Sequence, residues 1–471
     1  MAEVGQVAEA AAMAAAGFEA LGRARRAALL DELADALEAD RSILVETADR
    51  ETRLGTTRLN GELTRTCFQL RLFGEVLREG SYLEATIDHA TDTPMGPRPD
   101  LRRILVPVGP VAVFGAGNFP LAFSVPGGDT ASALAAGCPV VAKAHPSHLE
   151  TSRRAFEAMH AVVPDGALGL VEGYEAGAAL VKHPAIRAVG FTGSTSGGRA
   201  LFDIAAARPD PIPFYGELGS LNPLIVTSGA VADRAREIAE GYVASMSLGN
   251  GQFCTKPGLL FMPAGSDGLR SALATAVSKL PAGPMLNDAI RGAYQAELSR
   301  RRDDARLTLV AAGEPGGAEL GSPALYSVEA ADLDGGLLEE CFGPSALVVE
   351  YRDLDELLGA LGRLGGQLTA SVHAADGEAD IVARLHDKLR RIAGRLIFGG
   401  YPTGVAVTWA MHHGGPYPAA TSSAHTSVGA TSIRRWLRPI SYQDAPQAVL
   451  PKELRDGNPA GIPRRVDGVL D

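Results

Sequence analysis

From residue 111 to about residue 200, short β-branched runs alternate with helix-length segments. The order is Val111–Phe114, then Phe123–Ala136 stopped by Gly137, Val140–Ala144, His148–Val162, Ala188–Phe191, and a helix opening near Ser196. The strand runs are almost wholly apolar, so they predict strands covered on both faces. Strands that alternate with helices in this way build a parallel, doubly wound α/β sheet, and such sheets bind ligands at the carboxyl ends of their strands.

On either side of this block the pattern changes. Residues from about 5 to 90 are helical, with Leu29, Leu30, Leu33, Leu37 and Leu44 recurring at helical intervals. After Gly96-Pro97, Arg103–Val108 predicts a strand. A second α/β unit opens at Leu221-Asn222-Pro223, with a strand at Leu224–Thr227, a helix at Val231–Ser247 and a strand at Gly258–Met262. Its alternation continues through Ala346–Glu350, Asp355–Leu364 and Leu368–His373 to about Trp409. Thr431–Gln443, with Trp436 and Tyr442, predicts a terminal strand followed by a proline-punctuated tail, and a partner subunit is expected to pair with it.

The 471 residues are long enough for two or three domains. A net charge of −11 tells against nucleic acid as a partner, because phosphate backbones require a basic surface. The Ala-rich N-terminus is interrupted by Glu3, Glu9 and Glu19, and no apolar run approaches a membrane span, so no signal peptide or membrane anchor is expected and the chain reads as cytoplasmic. Cys67, Cys138, Cys254 and Cys341 lack metal-ligand spacing and disulfide density, so four free thiols and no metal site are expected.

Chemistry concentrates at few positions. Cys254 lies in Gly249-Asn250-Gly251-Gln252-Phe253-Cys254-Thr255, between a helix and a strand, and Glu217 lies in Gly216-Glu217-Leu218-Gly219. A free cysteine is commonly just a small buried hydrophobe, but a thiol with a carboxylate available to it also suits covalent catalysis. Phe191-Thr192-Gly193-Ser194-Thr195 follows a strand and opens a helix, an arrangement that serves either as a helix cap or as a phosphate cradle through Gly193 and Ser194. Lys143 ends a strand at the ligand-binding edge.

Taken in order, Gly115-Ala116-Gly117-Asn118-Phe119-Pro120, Lys143, Gly193-Ser194-Thr195, Gly216-Glu217-Leu218-Gly219, Gly251-Gln252-Phe253-Cys254 and Glu339-Glu340-Cys341-Phe342-Gly343-Pro344 resemble the motifs of the aldehyde dehydrogenase superfamily. Pro126–Leu134, Lys143-Ala144-His145-Pro146, Met411–Pro418 and Thr426-Ser427-Val428-Gly429 look like the branch of NADP-dependent α-ketoglutaric semialdehyde dehydrogenases and related fatty-aldehyde dehydrogenases.

The resemblance implies two doubly wound domains plus a small β oligomerisation element. Residues 1–90 and 111–219 would bind the dinucleotide, 220–425 would form the catalytic domain, and 97–110 with 431–471 would supply oligomerisation strands and tail, in a homodimer or homotetramer. It implies Cys254 as nucleophile and Glu217 as the base that hydrolyses the thioester, with a pKa raised by an apolar cleft. Asn118, with the Cys254 N–H, would hold the oxyanion. Lys143, Gly193, Ser194, Glu340 and Phe342 would bind the cofactor, the last two at the nicotinamide side. Pro146 stands where many NAD-using relatives carry a glutamate, which favours NADP with NAD possible.

Two departures stand out. The second glycine of the general-base motif is Ser220, and the region Ala264–Ala331 is short for this branch. For the aldehyde, Arg65 and Gln69 share a helix face near the expected tunnel, with Arg71 close by, and one of His412 and His413 is expected at its mouth. An apolar tunnel of Phe119, Phe123 and Phe253 would instead suit a medium-chain fatty aldehyde. A cofactor-independent cysteine esterase is the remaining alternative.

Overall fold

The computed structural model describes residues 2–471. Four helices open the chain, Ala2–Ala20, Gly22–Ala39, Arg41–Thr52 and Thr56–Glu79. Leu29, Leu33, Leu37, Leu63 and Leu70 are fully buried between them, as the helical spacing predicts.

The first sheet runs Leu168–Val171, Val140–Lys143, Val111–Phe114, Ala188–Thr192, Phe214–Glu217, every pair parallel. Val111–Phe114 is central. The chain builds outward from it on one side and then returns to build on the other, so the topological switch lies between Val111–Phe114 and Ala188–Thr192. Gly115, Lys143, Gly193 and Glu217 all fall at the carboxyl edge of this sheet.

The second sheet has the order Thr308–Ala312, Ala324–Glu329, Ser345–Tyr351, Leu259–Pro263, Leu224–Val226, Gln367–His373, Ala393–Phe398. Only its first pair is antiparallel. Its five inner strands are buried on both faces, as the apolar runs required, while the edge strands Thr308–Ala312 and Ala393–Phe398 are partly exposed.

Two expectations need correction. The helix over Phe123–Ala136 begins only at Gly128. Pro120 and Pro126 lack the N–H a helix needs, and the segment folds back on itself, with Ala116 N–H donating to the Phe123 carbonyl and Gly128 N–H to the Ala122 carbonyl. The C-terminal strand is also shorter. Residues Ala430–Trp436 form a 3₁₀ helix, and the strand Leu437–Gln443 pairs with Leu101–Pro107 of its own chain. Trp436 explains the change: it is fully buried, and its indole N–H donates to Ser132 Oγ at 2.8 Å, which anchors the segment to the helix Gly128–Ala136. The resulting third sheet continues through Thr86–Asp88 to Arg465–Val466 and Val469–Leu470. No helix is long and apolar enough to cross a membrane among the described residues.

Candidate active site

Cys254 follows a tight left-handed turn. Gly249, Asn250 and Gly251 have φ of 59°, 55° and 68°. At Gly251 the left-handed conformation coincides with a close approach, since a Cβ there would lie 2.2 Å from the Gly343 carbonyl oxygen. Polar side chains fix the turn from three directions. Asn250 donates to the Gly283 carbonyl at 2.9 Å, and Asn222 donates to the Cys254 carbonyl at 2.8 Å and the Lys256 carbonyl at 3.0 Å. The buried Lys256 ammonium donates to the carbonyls of Cys341, Gly343 and Ser345. This ties the cysteine turn to the segment that carries Glu340.

Glu217 ends its strand and is 4 % exposed. Beyond it, Leu218 N–H donates to the Ala419 carbonyl and Thr421 N–H to the Gly216 carbonyl, so the loop after Ala393–Phe398 lies against this strand. That loop delivers His413, which is fully buried, with Nε2 2.9 Å from Glu217 Oε1 and 3.6 Å from Cys254 Sγ. Ser427 donates to Glu217 Oε2 at 2.6 Å. His413 is therefore the histidine of the pair that reaches the site. His412 packs beside Gly394 and Gly414. Ser427 lies in the Thr426-Ser427-Val428-Gly429 motif, where nothing local marks it as a partner for a carboxylate 210 residues away.

The electrostatics correct one expectation. Burial by itself pushes the Glu217 carboxyl up, but His413, by charge and contact, and the Ser427 hydroxyl outweigh it and hold the carboxyl below its ordinary value. Glu217 is thus ionised at neutral pH. Burial and the negative charge of Glu217 drive the Cys254 thiol well above its usual range, so the resting nucleophile is a thiol that needs its neighbours to take the proton. Asn118 donates to the Gln252 carbonyl at 3.0 Å, which sets its amide beside the cysteine turn.

At the substrate side, Phe119 packs edge-on against Phe123 and Phe253, each pair of ring centroids 5.2 Å apart. These rings do not form a purely apolar wall. The Arg58 guanidinium lies 5.0 Å from the Phe119 ring and 4.7 Å from Phe253, and Arg65 lies 5.4 Å from Phe123. Arg65 donates to the Val405 carbonyl at 2.6 Å, while its Nε and Nη2 are buried without a partner. Arg71 instead pairs with Asp35 at 2.7 Å on the surface, and Gln69 is buried, donating to the Ala122 carbonyl. Arg58 went unread because its role depends on two rings far along the chain.

Lys143, Gly193 and Ser194 lie at the carboxyl edge of the first sheet, and Glu340 reaches it from the segment before Ser345–Tyr351. Lys143 is half-buried, its pKa lowered by burial. Gly193 and Ser194 are exposed, and Ser194 Oγ accepts from Gly197 N–H at 3.2 Å, so it caps the helix Thr195–Ala206. Gly193 N–H donates to the Glu217 carbonyl, which puts the cap beside the base. The Glu340 carboxylate sits where a side chain on Gly219 would clash, its Oε2 2.6 Å from the position of such a Cβ. Burial raises Glu340 to about 7, partly offset by Lys256 and the Ser220 N–H. Phe342 is half-buried next to it in sequence. A half-buried cation, an open helix N-terminus and a half-buried carboxylate are groups that can take the phosphates and a ribose of a dinucleotide.

The expectation of no metal ligands rested on sequence spacing. The fold nevertheless brings one ligand atom each from Glu217, Cys254 and His413 within 4.8 Å of one another.

The aldehyde dehydrogenase family model matches residues 1–415. The chain is similar to "alpha-ketoglutaric semialdehyde dehydrogenase 2" of Azospirillum brasilense, 47% identical over 99% of this chain and 91% of the relative. It is 43% identical to the alpha-ketoglutaric semialdehyde dehydrogenase of Acinetobacter baylyi, over 99% of this chain and 91% of the relative. Among solved structures, a 1-pyrroline-5-carboxylate dehydrogenase superposes with a TM-score of 0.82 over 94% of this chain and 85% of that one, at 22% identity, a likeness of fold. Bradyrhizobium japonicum proline utilization A superposes with a TM-score of 0.80 at 27% identity over 94% of this chain, which spans 45% of the length of that protein.

Proposed function

Since the chain belongs to the aldehyde dehydrogenase family, we propose that it oxidises 2,5-dioxopentanoate (α-ketoglutaric semialdehyde) to 2-oxoglutarate with NADP, NAD serving less well. The observation that carries the substrate reading is Arg65, whose two unpartnered buried donors lie beside the phenylalanine cluster. A buried guanidinium with free N–H groups calls for an anion, and a bidentate carboxylate satisfies it best. A fatty aldehyde would leave it unsatisfied. The names of the two bacterial relatives point the same way.

The steps follow from the side chains. The Cys254 thiol gives its proton to the Glu217–His413 pair as sulfur bonds to the aldehyde carbon, and the oxygen takes up negative charge beside the Asn118 amide. The nicotinamide cofactor, when bound, supplies the hydride acceptor. Once that proton has passed to solvent, Glu217 takes a proton from water as the water oxygen attacks the thioester; Glu217 returns it to the departing Cys254 sulfur, restoring the thiol, and the product acid ionises to the carboxylate by losing its own proton to solvent. Ser427 and His413 keep Glu217 ionised and aimed for this step. For the cofactor, Lys143 offers a cation to the 2′-phosphate, and Pro146 brings no negative charge against it.

The test is reduced-cofactor absorbance across an aldehyde panel with NADP and NAD. Arg65→Gln is expected to lower kcat/KM for 2,5-dioxopentanoate by about 10- to 100-fold, the range of one charged hydrogen bond, and to leave hexanal nearly unaffected. A wild-type preference for hexanal would overturn the substrate reading, and a preference for NAD would overturn the cofactor reading.

A further inference from the structure

We propose that Glu217, Cys254 and His413 form a zinc site that reversibly shuts the enzyme off. The three donors are a carboxylate oxygen, a sulfur and an imidazole nitrogen, a set that suits Zn²⁺ and not the hard cations Mg²⁺ or Ca²⁺. Tetrahedral zinc with bonds of about 2.0 Å to nitrogen and 2.3 Å to sulfur holds those atoms roughly 3.5 Å apart. Cys254 Sγ and His413 Nε2 are 3.6 Å apart without any ion.

The site is built and not a surface coincidence. His413 and Glu217 are buried, and their backbones are pinned by the Thr426 hydroxyl and by the Ala419–Thr421 loop respectively. Polar demand within the triangle is unmet. Glu217 Oε1 is 2.9 Å from His413 Nε2, yet the two are not aligned for a hydrogen bond and Oε1 is left without one. His413 Nε2 carries at most one hydrogen, which cannot serve both the carboxylate and the sulfur. One metal ion at the centre can bind all three, and its fourth position stays open to water. On binding, Zn²⁺ forms a bond to Cys254 sulfur and the thiol proton leaves to solvent, with no change of oxidation state. The nucleophile and the base are then both occupied, so turnover stops until a chelator removes the metal. The proposal rests on these three side chains and not on the choice of aldehyde or cofactor.

Zn²⁺ titrated into the purified full chain against a zinc-chelating dye is expected to bind one equivalent per chain. Cys254→Ser and His413→Ala should each weaken binding by about 100-fold, as loss of one of three ligands implies. His412→Ala, one residue away and outside the triangle, should bind as wild type does. Co²⁺ in place of zinc should give a sulfur-to-cobalt charge-transfer band in the near ultraviolet that Cys254→Ser lacks. Dehydrogenase activity lost to zinc should return with EDTA. If Cys254→Ser and His413→Ala bind zinc as tightly as wild type, or if the cobalt complex shows no sulfur band, the site does not exist and any bound metal is adventitious.

Discussion

At the residue scale, the site divides covalent work from proton work. Cys254 sits as a buried thiol and Glu217 as an ionised carboxylate, so chemistry begins by moving one proton between them through contacts already made. Cys254→Ser is expected to abolish dehydrogenase turnover and to leave cofactor binding intact, read by equilibrium titration. Glu217→Gln should give a single burst of reduced cofactor and then stall with the thioester on Cys254, detectable by mass spectrometry. A burst lost in parallel with the steady state would remove Glu217 from the hydrolytic step. Glu340 makes a pH prediction. Its carboxyl is raised to about 7, first by burial, so it is neutral below that pH and ionised above it. The ionised form accepts from ribose hydroxyls through charge-assisted hydrogen bonds, which are about twice as strong as those to the neutral acid. Cofactor affinity should therefore strengthen as pH rises from 6 to 8, and Glu340→Gln should flatten the profile at the weaker level. An unchanged profile in the variant would place the titration elsewhere.

At the scale of elements, the decisive piece is the turn between the helix Ser228–Ser247 and the strand Leu259–Pro263. It joins two regular elements and holds three consecutive left-handed residues, a conformation that Gly249, Asn250 and Gly251 suit, and hydrogen bonds to the Gly283 carbonyl and from Asn222 hold it in place. Gly251→Ala adds a methyl against the Gly343 carbonyl in a conformation that disfavours any Cβ. It should cost about 1–3 kcal/mol in stability and, by shifting Cys254, lower kcat by about 10- to 100-fold. Gly268→Ala is the control, because a Cβ there meets open space. Thermal melting and steady-state rates separate the two effects. Equal behaviour of both variants would mean that the turn adapts freely.

At the scale of the molecule, the C-terminal strand closes the third sheet from within the chain and then presents its other side at the sheet edge. The Trp436 carbonyl accepts from Val108 N–H, so alternate residues from 436 point inward, and residues 437, 439, 441 and 443 turn their backbone groups outward. Pro439 is one of these. It blunts the edge by removing one donor, and leaves Ser441 and Gln443 as the stretch on which a second subunit can extend the sheet. Ser441→Pro removes an outward N–H without breaking a bond to Leu101–Pro107. It is expected to lower the oligomeric state on gel filtration while the far-ultraviolet spectrum is kept. An unchanged elution volume would place the subunit interface elsewhere. Truncation before Thr431 is a poorer test, because it also removes the buried Ile433 and Trp436.

Periodicity in the sequence determined the alternating strands and helices of both α/β units, because burial on two faces dictates apolar runs whatever the chain later meets. Local motifs likewise singled out Cys254, Glu217, Asn118 and Lys143, whose residue types are demanded by the chemistry the family resemblance implies. The raised pKa expected for Glu217 was wrong, and the choice between His412 and His413 stayed open. Both depend on partners 196 and 210 residues further along the chain, at His413 and Ser427. The partnerless donors of Arg65 and the arginine faces on the phenylalanine cluster were equally invisible, as was the close approach of the His413 ring to both the thiol and the carboxylate. Electrostatics and ligation act through a few ångströms of space, and only the packed tertiary structure decides which distant residues share them.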